Sequence, residues 1–181
     1  MKFVYSDGGR RDAGFKGNAG DCVARAVAIA SGLPYPDVYK SLANGSGGER
    51  KTKGRSARNG VHTRRKWFKD YMLSLGFVWT PTMGIGTGCK VHLRSDELPP
   101  GRLVVAVSRH YTAVIDGVIH DTHNPSDRGH TIYPPGYPQD QLPKGARWLE
   151  NGNGWVYSPD RCVYGYWQLT PTDQPAARAA N

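Results

Sequence analysis

The sequence predicts an α+β protein in which helices come first and an antiparallel sheet follows. Three observations carry this. Cys22-Val-Ala-Arg-Ala-Val-Ala-Ile-Ala-Ser31 is alanine-rich, preceded by Asp21 and followed by Gly32, which is helix composition with helix punctuation. Residues 63–75 place Trp67, Phe68, Tyr71, Met72 and Leu75 on one stripe at helical spacing. Further on, Leu103-Val-Val-Ala-Val107 is a continuous apolar run suited to a strand covered on both faces. Asp116-Gly117 between apolar runs is a hairpin signal, because both central residues of a type I′ turn need positive φ.

The elements read in order as follows. Residues 3–5 suit a short edge strand. The first helix spans 22–31. Asp37 to Ala43, after Pro34 and Pro36, reads as a second helix closed by Asn44-Gly45. Residues 44–61 form a Gly-rich basic loop, and the part from Gly45 to Gly60 has no apolar stripe, so it is expected to be mobile. The helix from Thr63 ends at Gly76. Phe77–Thr80 suits a strand and 81–90 a Gly/Thr-rich connection. Leu103–Val107 is expected to run on into His110–Ile115, with Val118–Thr122 next. Residues 124–160 are rich in Pro, Gly and Asn, the composition of a long loop that shapes a cleft. There Trp148, Trp155 and Tyr157 suit either cleft walls or anchors to the core. Cys162–Leu169 closes the sheet. Residues 1–170 are expected to form one domain and 171–181 a disordered tail.

Composition fits a small globular protein. The chain has 181 residues, 38% of them hydrophobic, with 5 Trp and 10 Tyr, which argues against disorder throughout. No apolar run is long enough to cross a membrane, and the first residues have no apolar leader, so a cytoplasmic protein is expected. The three cysteines, at 22, 89 and 162, form no metal motif and cannot all pair, which favours reduced thiols.

Cys22 carries the sharpest chemistry. Asp21 is a good N-cap, which puts the thiol in the first turn of a helix. Unpaired N–H groups and the positive end of the helix dipole favour a thiolate there. The alternative is a small buried cysteine at a helix start. The hairpin supplies a partner. With a two-residue turn, Ile115 pairs with Val118, and the ladder continues through Ala113–His120 and Thr112–Asp121 to His110–His123. His110, Thr112, Asp121 and His123 then share a face, and Asp121 is a diagonal neighbour of His110. A histidine oriented by a carboxylate beside a helix-terminal cysteine is the logic of a nucleophile, base and orienter. The alternative is a polar hairpin end at a sheet rim.

Gly20-Asp-Cys-Val-Ala-Arg-Ala-Val-Ala-Ile-Ala-Ser-Gly32 followed by Val107-Ser-Arg-His-Tyr-Thr-Ala-Val-Ile-Asp-Gly-Val-Ile-His-Asp-Thr122 resembles the papain-like cysteine peptidase superfamily, in particular its small phage- and prophage-encoded members. The resemblance implies the papain-like fold, and a thiol hydrolase with Cys22 as nucleophile, His110 as general base and acid, and Asp121 as orienter. No cofactor is implied. The setting it implies is a phage protein in a host bacterial cytoplasm, acting on a protein or peptide. Transglutamination, deamidation and amide cleavage use the same triad. One position departs from the family: the glutamine that usually precedes the cysteine by six residues is Lys16. Asn18 is the candidate oxyanion donor, beside the backbone N–H of Cys22; as a loop asparagine it also suits a plain turn.

Charge adds a second theme. Of 24 Lys/Arg and 15 Asp/Glu, residues 50–69 hold nine Lys/Arg and no acid, so this segment carries the whole net charge of +9. A solvated basic loop, an acidic protein partner or substrate, and nucleic acid all fit it. The stripe turns Trp67 and Phe68 toward the core, which argues against base stacking. A non-catalytic phage protein that binds an acidic host protein or nucleic acid through this segment is therefore the alternative to an enzyme. A metal hydrolase using His110, Asp121 and His123 is a further one, but His120 points to the other face, and the expectation is no metal.

Overall fold

A computed structural model describes residues 1–48, 55–127, 129, 131–143, 146–149, 152–157 and 160–170. The disordered-tail expectation for 171–181, and Arg50, Lys51 and Lys53 of the basic segment, lie outside them. Strand β1 (Lys2–Tyr5) precedes helices α1 (Cys22–Ser31), α2 (Tyr35–Gly47) and α3 (Lys66–Ser74). Strands β2 (Phe77–Pro81), β3 (Arg102–Val107), β4 (His110–Ile115), β5 (Val118–Asp121), β6 (Thr131–Tyr133), β7 (Arg147–Trp148), β8 (Trp155–Tyr157) and β9 (Val163–Leu169) follow. The fold is mixed α+β, with a six-stranded sheet in the order β1-β5-β4-β3-β9-β2 and a small sheet β6-β8-β7.

The main sheet is not purely antiparallel as expected. β1 lies parallel to β5, from Lys2 opposite Val118 to Tyr5 opposite Asp121, and every other pairing is antiparallel. The long excursion through the three helices brings the chain back with either polarity open to it, so the first strand can take the free edge of β5 in parallel. The hairpin register is the one read from Asp116-Gly117: Ile115 pairs with Val118, Val114 with Ile119 and Ala113 with His120. Both turn residues have positive φ, 47° and 77°.

β3 and β4 are not one strand. A tight turn at Ser108-Arg109 reverses the chain and pairs Val107 with His110. Arg109 takes the left-handed conformation at φ 57°, where glycine or asparagine is usual, so the turn carried no glycine signal. β3 is buried on both faces, as its apolar run predicts. Val104 joins the core under the helices with Val27, Phe68 and Phe77, while Leu103, Val105 and Val107 pack on the other face with Val114 and Ile119.

The alanines of α1 let the helix lie close on the sheet: Ala24, Ala26, Ala28 and Ala30 are all buried. Gly32 ends it in the left-handed conformation, its N–H reaching the Ala28 carbonyl at 2.9 Å. α2 runs through the expected stop at Asn44-Gly45. Gly45 serves packing instead, since a Cβ there would collide with the Trp67 ring of the next helix. α3 starts at Lys66 rather than Thr63, and its stripe holds: Phe68 and Met72 are fully buried, with Trp67, Tyr71 and Leu75 packed against them. The loop before it is better anchored than its composition suggested. Ala57 and Val61 are buried in the core, and Ser56 bridges to Gly60. Two apolar side chains are enough to pin a segment that lacks a helical stripe.

Candidate functional site

Cys22 is the first residue of α1, half-buried. The Asp21 carbonyl accepts the first helical bond, from Arg25 N–H at 3.1 Å. Its carboxylate does not cap the helix as expected. It turns inward, only 1% exposed, where it meets Arg10 Nε at 2.8 Å and accepts from the Tyr35 hydroxyl. Its other oxygen lies 3.1 Å from Arg25 Nε, an ion pair without hydrogen-bond alignment. A buried carboxylate needs such partners more than a helix start needs a cap. Arg10 also donates to the carbonyls of Phe15 (3.1 Å) and Lys16 (3.2 Å), so this knot ties the loop before Cys22 to the helix.

His110 opens β4 and Asp121 closes β5. The Asp121 Oδ2 lies 2.7 Å from His110 Nε2, with the two side chains 6% and 10% exposed. Nδ1 is thereby left for the thiol, and His110 and Cys22, which line the same cleft, lie close enough for each to shift the other's titration. The three residues singled out from the sequence thus meet in space. Burial pushes the Cys22 thiol up. The hydrogen bond and charge of His110, the Tyr111 backbone N–H and the Arg25 charge outweigh it and hold the thiol below its usual value. Burial would lower His110, yet its bonds to Asp121 and Cys22 raise it to about 9. Asp121, which burial would raise, stays below the usual carboxylate range because of His110, the nearby Thr112 hydroxyl and the Thr122 N–H. The arrangement favours a thiolate beside an imidazolium, backed by a carboxylate.

His123 packs its ring on His110 at 4.7 Å between centroids, and its Nδ1 is 4.0 Å from Asp121. It is 58% exposed, and burial with neighbouring cations keeps it neutral at pH 7. His110, Asp121 and His123 each offer a donor atom within 4.8 Å of the others, the set of the metal alternative. Two of the three are already hydrogen-bonded to each other.

The thiol faces an open cleft of about 2290 Å³. Lys16 and Asn18 both line it. Asn18 is exposed, and its backbone carbonyl accepts from Arg58 at 3.2 Å. Trp148, Trp155 and Tyr157 do not line the cleft. They belong to the small sheet, where Trp148 and Trp155 meet edge to face at 5.1 Å. The loop-rich stretch had room for strands of its own, which pair the aromatics with each other.

Cys89 and Cys162 form a disulfide, with Cα atoms 5.8 Å apart, and Cys22 is free. The expectation of three reduced thiols therefore fails for two of them. Residues 91–93 run antiparallel to 161–163, through Leu93 N–H to the Arg161 carbonyl and Val163 N–H to the Val91 carbonyl, and this brings the distant cysteines together. Sequence reasoning also missed Arg10, the Tyr111 N–H and Arg25. Only Arg25 left a signal: it stands four residues after Asp21, helical ion-pair spacing.

No protein-family model, no curated protein and no solved structure matches this chain.

Proposed function

We propose that this protein is a cysteine-dependent hydrolase of papain-like type, cleaving an amide through an acyl-enzyme. The observation that carries the reading is the relay Cys22–His110–Asp121, in which the thiol is lowered, the imidazole raised to about 9 and the carboxylate bonded to the imidazole at 2.7 Å. The Cys22 thiolate attacks the carbonyl carbon, and the C=O electron pair moves to oxygen. The oxyanion forms over the start of α1, where the Cys22 backbone N–H is a donor and Asn18 lines the same cleft. As the C–N bond breaks, the His110 imidazolium gives its proton to the leaving nitrogen. His110 then takes a proton from water, whose oxygen attacks the thioester and restores the thiol. Asp121 keeps the ring oriented and stabilises its charge throughout. An amine in place of water makes the same site a transferase.

Reactivity tests the reading. Iodoacetamide is expected to alkylate Cys22 with a rate that rises well below the free-thiol pKa of about 8.5. His110→Ala is expected to move that rise back up. A Cys22 that titrates like a free thiol, in the unmodified protein, leaves a binding protein that uses its basic 50–69 segment as the better reading.

A further inference from the structure

The cleft around Cys22 is unusually cationic. Eight Lys/Arg line it against two carboxylates, Asp7 and Asp21. Asp21 is buried and paired with Arg10 and Arg25, so those three charges are spent within the protein. Among the described residues, Arg11, Lys16, Arg55, Arg64, Lys69 and Arg109 have no carboxylate partner, although all six line the cleft. They come from three separate parts of the chain: the loop before α1, the basic segment that runs into α3, and the turn before His110. Convergence from three parts of the chain is not what a solvated charge run on one exposed face produces. Unpaired like charges around a concave surface also destabilise the fold by repulsion, and they focus a positive field where a substrate must approach.

The same cleft also carries apolar side chains. Met83 and Ile85, on the connection after β2, and Tyr164 on β9 are large apolar side chains left exposed at the cleft. The Cys89–Cys162 disulfide, with Cys89 four residues after Ile85 and Cys162 two before Tyr164, ties those two segments together. A substrate that fills this cleft therefore meets both unpaired cations and exposed apolar side chains.

We infer that the substrate is an acidic polypeptide, with carboxylate side chains near the scissile amide and an apolar side chain close by. The inference rests on the acyl chemistry proposed above, because a thiolate acts on a carbonyl that only a polypeptide presents repeatedly beside carboxylates. Nucleic acid shares the negative charge and lacks the amide.

The test uses three peptidyl vinyl sulfones that differ only in flanking residues: Glu, Gln or Lys. Labelling of Cys22 is followed by mass spectrometry, with iodoacetamide as the uncharged reference. The Glu probe is expected to label about tenfold faster than the Gln probe at low ionic strength, and the Lys probe slower still. The advantage is expected to collapse at high salt, since exposed charges are screened beyond a Debye length of about 3 Å at 1 M. Arg64→Gln with Lys69→Gln is expected to shrink the Glu-to-Gln ratio by several-fold, and the salt titration of the unmodified protein stands if that variant fails to fold. Polyglutamate is expected to protect Cys22. Fast iodoacetamide labelling with equal probe rates, or with the Lys probe fastest, overturns the acidic substrate and leaves the hydrolase. Protection by a DNA oligonucleotide but not by polyglutamate overturns it in favour of nucleic acid. A Cys22 no faster with iodoacetamide than a free thiol overturns the hydrolase itself.

Discussion

Asp121→Asn is the substitution that tests the relay most directly. The side chain keeps its shape, and an Asn oxygen can still accept the Thr122 N–H that Asp121 Oδ1 accepts at 2.7 Å. What goes is the charge 2.7 Å from His110 Nε2. His110 stands at about 9 against an ordinary 6.5, a gap worth about 3 kcal/mol of preference for the imidazolium. Asp121 and the Cys22 thiolate share that preference, Asp121 supplying the larger part, and burial opposes both. Without the carboxylate, burial pulls His110 back to its ordinary range or below. The imidazolium fraction at pH 7 then falls from nearly complete to about a quarter or less. The thiol loses its charged partner and rises in turn. The amide is also free to present its NH₂ to Nε2, which inverts the tautomer and takes the proton from the nitrogen that must hold it.

Turnover of an acidic peptide amide is therefore expected to fall by about 10²–10⁴-fold, with KM changed far less. The pH dependence of Cys22 alkylation, measured on the same preparation, is expected to shift upward. Circular dichroism and thermal melting show whether the fold is intact. His123→Ala is the control, because His123 is mostly exposed and 4.0 Å from Asp121. Its effect is expected to stay within about tenfold. Full activity in Asp121→Asn together with loss in His123→Ala refutes the assignment of Asp121 as orienter.

Four further outcomes follow from the same geometry. The pH profile of kcat/KM is expected to be a bell: activity is lost on the acid side as the lowered Cys22 thiol takes up a proton, and on the alkaline side as His110 loses its own near pH 9. The raised His110 also makes folding pH-dependent. Its contribution is complete below about 6.5 and is lost as pH rises through about 9, so urea midpoints are expected to drop over that window, and less so in His110→Gln. Asp21→Asn leaves two half-buried guanidinium groups without their buried carboxylate and is expected to cost about 3 kcal/mol by urea unfolding, with Cys22 losing its sharp reactivity as the knot loosens. Cys89→Ser frees a loop with a sequence separation of 73 residues and is expected to cost about 2–4 kcal/mol; iodoacetamide labelling of Cys22 follows the consequence for the cleft wall.

Local signals were enough for what is built from neighbours in the chain. α1 begins at Cys22 and ends at Gly32 because alanine content and a left-handed glycine are properties of a dozen adjacent residues. The β4–β5 register follows from two turn residues, and with it the meeting of His110 and Asp121. Strict alternation on a strand propagates a turn into a site. The apolar run of β3 and the stripe of α3 likewise announced which faces would be buried. Tertiary structure decided what depends on distant partners. It set Asp21 facing inward, because Arg10 and Tyr35 wait there, and it ran α2 past Gly45, because Trp67 needs the space. It turned the chain at Arg109, placed β9 between β3 and β2, laid β1 parallel on the far edge and joined Cys89 to Cys162. The approach of Cys22 to His110 is of the same kind: each residue's local setting was legible, but their separation depends on how a helix lies on a sheet, which is set by packing rather than by any segment alone.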